Sequence, residues 1–182
     1  VQKGYTQEYF DILREAGFHY LRYGIDGWSK NTLKLHKKGY TLGMIEEVLN
    51  YTRRAGMLVA MNLVIGIPHE TEDDIDETIE NMVRNRDYYD TIENLNTLLL
   101  TAGSIYWENP EQYGIRFRED RESLYRRNPK VIPNDLWYSV DPYIDQDVRV
   151  SRLRRILDAA SAHSVRIGSY ADWRVGKLKE AV

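Results

Sequence analysis

From Thr6 to Thr101 the hydrophobic residues follow two rhythms in turn: helical spacing, and the alternation or unbroken apolar run of a strand. Between Thr6 and Gly17, Phe10, Leu13 and Ala16 recur at helical spacing behind a threonine cap, and Gly17 is placed to end the helix. His19-Tyr-Leu-Arg-Tyr-Gly-Ile25 alternates and is rich in aromatic residues, which predicts a short strand. A polar loop, Asp26 to Ser29, follows at its carboxyl end. A short helix is then expected between Asn31 and Lys38, interrupted by Gly39. Thr41 caps the next helix, whose apolar face is Ile45, Val48, Leu49, Thr52 and Ala55. Glu46, Glu47, Arg53 and Arg54 take its wet side, and Gly56 closes it.

The stretch from Met57 to Thr71 organises the rest. Its first ten residues carry no charge, the reading expected of a strand covered on both faces. Gly66 and Pro68 stop the strand. Thr71 is a good N-cap, and Glu72, Asp73 and Asp74 fill the first turn of a helix, where acids favour the positive end of the dipole. Ile75, Ile79, Met82 and Val83 lie on one face of that helix, and Arg84 and Arg86 finish it. Thr91 to Thr101, ending in Leu98-Leu99-Leu100, is a third strand candidate.

Such alternation argues for an α/β fold of about three βα units with parallel strands. Three parallel strands leave faces and edges uncovered. They are therefore a fragment of a barrel or of a larger doubly wound sheet, unless another chain or the carboxyl-terminal segment completes them. Ligands in such folds bind at the carboxyl ends of the strands, here the turns at Asp26 and Gly66.

Beyond Ala102 the texture changes to scattered aromatics and prolines without a sustained period, read as ordered loops and short turns. Asp147 to His163 becomes helical again, with Val150, Leu153, Ile156, Leu157 and Ala160 inward and Arg149, Arg152, Arg154 and Arg155 around them. The division falls near residue 110: residues 1–110 hold the βα part, and residues 111–182 an aromatic-rich extension with a helix.

With 182 residues, 42% hydrophobic and 29% charged, the chain can bury one substantial core. A formal charge of -3 gives no long-range attraction for nucleic acid or anionic membrane. No cysteine is present, so thiolate ligands and disulfides are excluded within the chain. No apolar run reaches membrane-spanning length and no signal peptide is visible, so a cytoplasmic location is the default.

The four histidines show no metal-ligand spacing. His69 sits in the turn expected to line a site, where a polar residue near a helix N-terminus reads the same as a ligand or acid-base group. Asp26 and Ser29 suit hydrogen bonding to a ligand hydroxyl, as ordinary turn residues also would. The basic run Arg116 to Lys130 also holds Glu119, Asp120 and Glu122, the mark of a solvated, salt-bridged surface. No nucleophile elbow, P-loop or dinucleotide glycine pattern appears.

Four segments in order carry a family resemblance: Ala16 to Asp26, Thr32 to Thr41, Ala55-Gly56 with Val64-Ile-Gly-Ile-Pro-His-Glu-Thr71, and Leu100 to Ile115. Together they resemble the second half of a radical S-adenosylmethionine (SAM) domain, the last one particularly that of enzymes with an amino-terminal cobalamin-binding domain. The resemblance implies a partial (β/α) TIM-type barrel, Leu100 to Ile115 being its last strand and exit loop. It implies SAM contacts from Asp26 and Ser29 to the ribose, Lys38 to the methionine carboxylate and Val64 to adenine, beside the glycine Gly66. The pattern Gly-x-Ile-x-Gly-x-x-Glu reads here Asn62-x-Val64-x-Gly66-x-x-His69.

A 4Fe-4S cluster held by three cysteines is implied in a parent molecule, outside this chain, with cobalamin a further cofactor of the related class. Without thiolates the chain alone is expected not to cleave SAM. The expected reading is an enzyme fragment beginning at Val1, whose partners are the remainder of the parent chain and a small-molecule substrate. The stretch Ser104 to Trp173 would close the barrel or shape the pocket. The alternative is a non-catalytic α/β binding or oligomerisation module that dimerises through an exposed sheet edge.

Overall fold

The computed structural model of the chain describes residues 1–172 and 177–180. In chain order the elements are α1 (Gln7–Glu15), β1 (Tyr20–Asp26), α2 (Lys30–Leu35), α3 (Leu42–Arg54), β2 (Leu58–Ile65), α4 (Glu72–Arg84) and β3 (Thr91–Thr97). There follow β4 (Leu100–Thr101), α5 (Ile105–Glu108), β5 (Ile115–Phe117), α6 (Arg121–Arg127), β6 (Val131–Ile132), β7 (Trp137–Val140) and β8 (Tyr143–Ile144). The chain ends with α7 (Gln146–Ala162), β9 (Ile167–Asp172) and β10 (Lys177–Glu180).

The caps sit where the side chains dictate. Thr6, Thr41 and Thr71 accept the backbone N–H groups of Tyr9, Met44 and Asp74, which opens α1, α3 and α4. Gly17 and Gly56 take φ of 95° and 75°, a left-handed conformation that costs glycine little, and turn the chain from helix into strand.

The main sheet has the order β1-β2-β3-β9-β10. β1, β2, β3 and β9 are mutually parallel, and β10 pairs antiparallel with β9 at the far edge. The α/β class and the parallel pairing therefore stand as expected, with a fourth parallel strand that the periodicity did not reveal. That strand reaches the sheet because α7 carries the chain back alongside β2 and β3. Gly168 allows the close approach: a Cβ there would lie 2.9 Å from the Glu93 carbonyl oxygen. Gly168→Val is expected to loosen β9 from β3 and cost about 1–3 kcal/mol, the range for overpacking a tight site. A urea midpoint equal to that of the unsubstituted chain would refute this packing.

Among the described residues, helices cover one face of the sheet only. Ile25, Val59, Met61, Leu63, Ile65, Ile92, Leu95 and Ile167 point into a core shared with Ile45 and Leu49 of α3, Ile75 and Met82 of α4, and Leu153, Ile156 and Ala160 of α7. On the opposite face Leu58 is 54% exposed, Tyr20 is exposed, and Asn62 and Val64 are only half-buried. This corrects the expectation that the Met57–Ile65 strand is covered on both faces. The uncovered face is largely polar and internally paired: Tyr20 Oη donates to Glu93 at 2.7 Å, Arg22 meets the same carboxylate at 3.1 Å, and Asn94 Nδ2 donates to Asn62 Oδ1 at 3.0 Å. Helices outside and an open inner face are what part of a βα barrel presents.

Leu100 does not end a barrel strand, in contrast to the resemblance. β3 stops at Thr97, and Leu100–Thr101 pairs antiparallel with Val131–Ile132 in a separate ribbon. With the β5-β7-β8 sheet it closes over a second core of Leu100, Trp107, Ile115, Leu124, Ile132 and Trp137. The aromatic residues of this segment are thus a core in their own right. The basic run is salt-bridged as expected, with Arg126 on Glu122, Arg127 on Glu119 and Arg121 over the Trp107 ring. Trp173, the end of the predicted pocket-shaping stretch, lies outside the described residues. Among the described residues no helix is long and apolar enough to cross a membrane.

Candidate functional site at the carboxyl ends of β1 and β2

The turns after β1 and β2 lie side by side. The parallel register places Asp26 opposite Leu63, the residue before Val64. Asp26 itself has φ of 59°, unusual for a residue with a side chain, at an irregularity in the ladder. Lys38 Nζ approaches Asp26 Oδ2 at 2.5 Å and the Gly24 carbonyl at 3.3 Å. Burial alone would lower the Lys38 ammonium, but the hydrogen bond and charge of Asp26 outweigh it and hold it above the usual lysine value. Both side chains keep access to solvent, at 22% for Lys38 and 34% for Asp26. A hollow of about 500 Å³ opens beside Lys38, between α2 and the start of α3.

Ser29, the other predicted ribose contact, is fully buried. Its hydroxyl accepts the Thr32 N–H at 2.9 Å to cap α2 and donates to Asp74 Oδ1 at 2.7 Å. Both bonds face inward, so Ser29 fastens the Asp26 loop to the start of α4 instead of facing a ligand. Asp74 also accepts from Asn31 Nδ2 at 2.8 Å and the Thr71 N–H at 2.8 Å. Burial would raise its carboxyl, but the bonds from Ser29, Asn31 and Thr71 prevail and hold it below the usual range. Ser29→Ala is expected to cost about 1–2 kcal/mol through the lost cap and the stranded Asp74 bond. Denaturant unfolding checks it, and a loss under half of that would mean the bond to Asp74 contributes nothing.

Val64 is half-buried on the open face, and Gly66 is buried with φ of 72°. The Gly66 peptide is held on both sides. Its N–H donates to Glu70 Oε2 at 2.6 Å, and its carbonyl accepts from Arg149 Nε at 3.2 Å. Glu70, one position after His69, thus holds the peptide of the turn. His69 instead uses Nδ1 on the Asp141 carbonyl at 2.8 Å, tying the turn to the second core's segment.

Glu70 is buried, as is Arg152, which reaches it at 3.0 Å and also meets Glu72 at 2.7 Å. Burial pushes the Glu70 carboxyl up to about 7 against the pull of Arg152 and of the Gly66 N–H. Arg149 is buried too, its guanidinium 3.6 Å from the Trp137 ring centre. Burial brings it down to about 9.

The structure thus pairs Asp26 with Lys38 at the end of β1, places Val64 and Gly66 at the end of the neighbouring β2, and turns Ser29 away. Sequence reasoning missed Glu70, Arg149 and Arg152. Both arginines share the helical stripe of Leu153, Ile156 and Ala160, and that spacing was the signal that these cations face inward. Among the described residues no cluster of His, Asp or Glu is arranged to hold a metal. With no cysteine in the chain, the donor set does not fit an iron-sulfur cluster. The half-exposed Asp26–Lys38 pair and the apolar Val64 do suit the polar and flat parts of a nucleoside.

No curated protein matches this chain. Residues 3–82, the segment from before α1 to near the end of α4 that contains the whole Asp26–Gly66 edge, match the family model of the Radical SAM superfamily.

Proposed function

We propose that this chain is the carboxyl-terminal part of a radical SAM barrel, supplying one side of the SAM and substrate site in a parent enzyme. The observation that carries the reading is the placement of Asp26, Lys38, Val64 and Gly66 at one edge of adjacent parallel strands, all inside residues 3–82. Asp26 would accept from the ribose hydroxyls, Lys38 would meet the methionine carboxylate, and Val64 would pack on adenine. When bound, SAM supplies a carbon-centred radical by reductive cleavage, which needs a 4Fe-4S cluster on cysteines outside residues 1–182. The reading needs no cobalamin. The segment that suggested it, Leu100 to Ile115, forms a separate small core beyond the residues that match.

The coding region upstream of Val1 tests this. A C-x3-C-x2-C sequence within about one domain length is expected, and an upstream region without one overturns the reading. In the cluster-loaded parent, Lys38→Met is expected to weaken SAM binding about tenfold, the worth of one charge-assisted contact. Equilibrium binding measures it, and unchanged affinity removes Lys38 from the site.

One observation favours a second reading, a module that associates through its sheet edge: among the described residues β1 pairs only with β2, which leaves its outer edge open. Light scattering on the isolated chain would then give a dimer. A monomer at high concentration removes this reading.

A further inference from the structure

We propose that Arg149 and Arg152 of α7 are positioning residues for the ligand-facing turn after β2, fixing the Gly66 peptide from both sides and thereby the presentation of Val64. Only the last clause, in which Val64 is presented to the adenine of SAM, rests on the function proposed above.

Arg149 acts directly. Its Nε donates to the Gly66 carbonyl, and its stem lies against Gly66 so closely that a Cβ there would be 2.5 Å from Arg149 Cγ. Arg152 acts through Glu70, whose carboxylate accepts the Gly66 N–H. A buried carboxylate without a cation would take up a proton and weaken as an acceptor, so Arg152 keeps that bond charged.

The same network reaches the next strand. Arg149 Nη1 points at the Asn134 carbonyl at 3.5 Å, and Asn134 Nδ2 donates to Thr97 Oγ1 at 3.0 Å at the end of β3. Arg149 Nη2 is buried with no hydrogen-bond partner among the described residues, and the guanidinium lies over Trp137. A cation held by carbonyls and a ring, with no carboxylate among the described residues bonded to it, fixes geometry more than it neutralises charge. Both arginines lie outside residues 3–82, so the turn inside the matched segment is set by a helix that follows the second core.

The groups facing Glu70 are Arg149 and Arg152 from α7, Asp74 from α4 and Tyr106 from α5. Arg152 lowers the Glu70 carboxyl and Asp74 raises it. The Gly66 amide therefore reports on the clamp in the isolated chain. In a ¹⁵N-labelled sample its resonance should lie far downfield and titrate with a midpoint near neutral pH. Arg152→Met should raise that midpoint by about one pH unit or more, the effect of removing one close opposite charge, and Arg152→Lys should return it. Arg149→Met should raise the midpoint less than Arg152→Met does, shift the Gly66 and Ile67 resonances and speed Gly66 amide exchange about tenfold, as expected when about 1.4 kcal/mol of local protection is lost.

A Gly66 resonance and midpoint the same in both methionine variants as in the unsubstituted chain overturns the proposal. Should Arg152→Met not fold, Arg152→Lys and Arg149→Lys carry the same readout, and identical spectra in both overturn it. In the cluster-loaded parent, Arg149→Met should bind SAM about tenfold more weakly and Arg149→Lys recover part of the loss. A moved Gly66 resonance with unmoved SAM affinity overturns the positioning role. A parent that binds no SAM in any variant overturns the function proposed above and leaves the clamp standing on its spectrum.

Discussion

Arg152→Ala is expected to cost the fold about 3–5 kcal/mol at pH 8, the penalty for leaving one member of a buried ion pair alone. Glu70 is 1% exposed, and its remaining bond is the Gly66 N–H. Arg152 also serves Glu72, but that carboxylate is half in water and is shared with Arg155, so little is lost there. The cost should depend on pH. The Glu70 carboxyl titrates in the folded chain at about 7 against an ordinary 4.5, so the folded state binds the proton more tightly than the unfolded chain. A carboxyl raised in this way favours the fold at low pH, and that advantage is lost as pH climbs from 4.5 through about 7. Without Arg152 the carboxyl rises further and the loss deepens. The variant should therefore lie nearer the unsubstituted chain at pH 5 than at pH 8. Urea midpoints at the two pH values measure this, and Glu70→Gln added to Arg152→Ala should recover much of the loss at pH 8. An equal loss at both pH values would show that Glu70 is not the group left stranded.

Gly66→Ala should cost about 2–5 kcal/mol. A φ of 72° is costly for any residue with a Cβ, about 1–2 kcal/mol. The added methyl would also meet Arg149 Cγ at 2.5 Å, Cδ at 3.1 Å and Cβ at 3.4 Å. A clash of that kind adds about 1–3 kcal/mol, because the stem is trapped between the turn and Trp137. The two causes separate in a double-mutant cycle. Arg149→Ala makes room, so the second substitution should cost less in that background, leaving mainly the backbone strain. Thermal or denaturant midpoints of the four proteins give the coupling. Strictly additive losses would mean that the methyl never meets the arginine.

Much of this molecule is written locally. Thr6, Thr41 and Thr71 announce their helices because a hydroxyl that can accept an N–H three residues on needs no tertiary help. The strands β1 and β2, the parallel arrangement and the place of Asp26 at a strand end were legible for related reasons, since short connections and alternating elements leave few topologies. Three things were not legible. β9 joins β3 from seventy residues further along, after a second core has intervened, and its pairing depends on Gly168 having no side chain. Ser29 looked available because the serine in a turn says nothing about Asp74, which approaches from another helix. Arg149 and Arg152 looked like surface cations because charge was weighed above position, although their spacing put them among the apolar residues of α7.

The unclad side of the main sheet carries a consequence of its own. Tyr20 and Arg22 bond to Glu93 there, and Asn94 bonds to Asn62, so the wall carries polar pairs of its own. Side chains on that wall can be exchanged to suit a differently shaped molecule while the stabilising weight rests on the helical coat behind it, so fitting and folding are tasks assigned to opposite surfaces of the same strands.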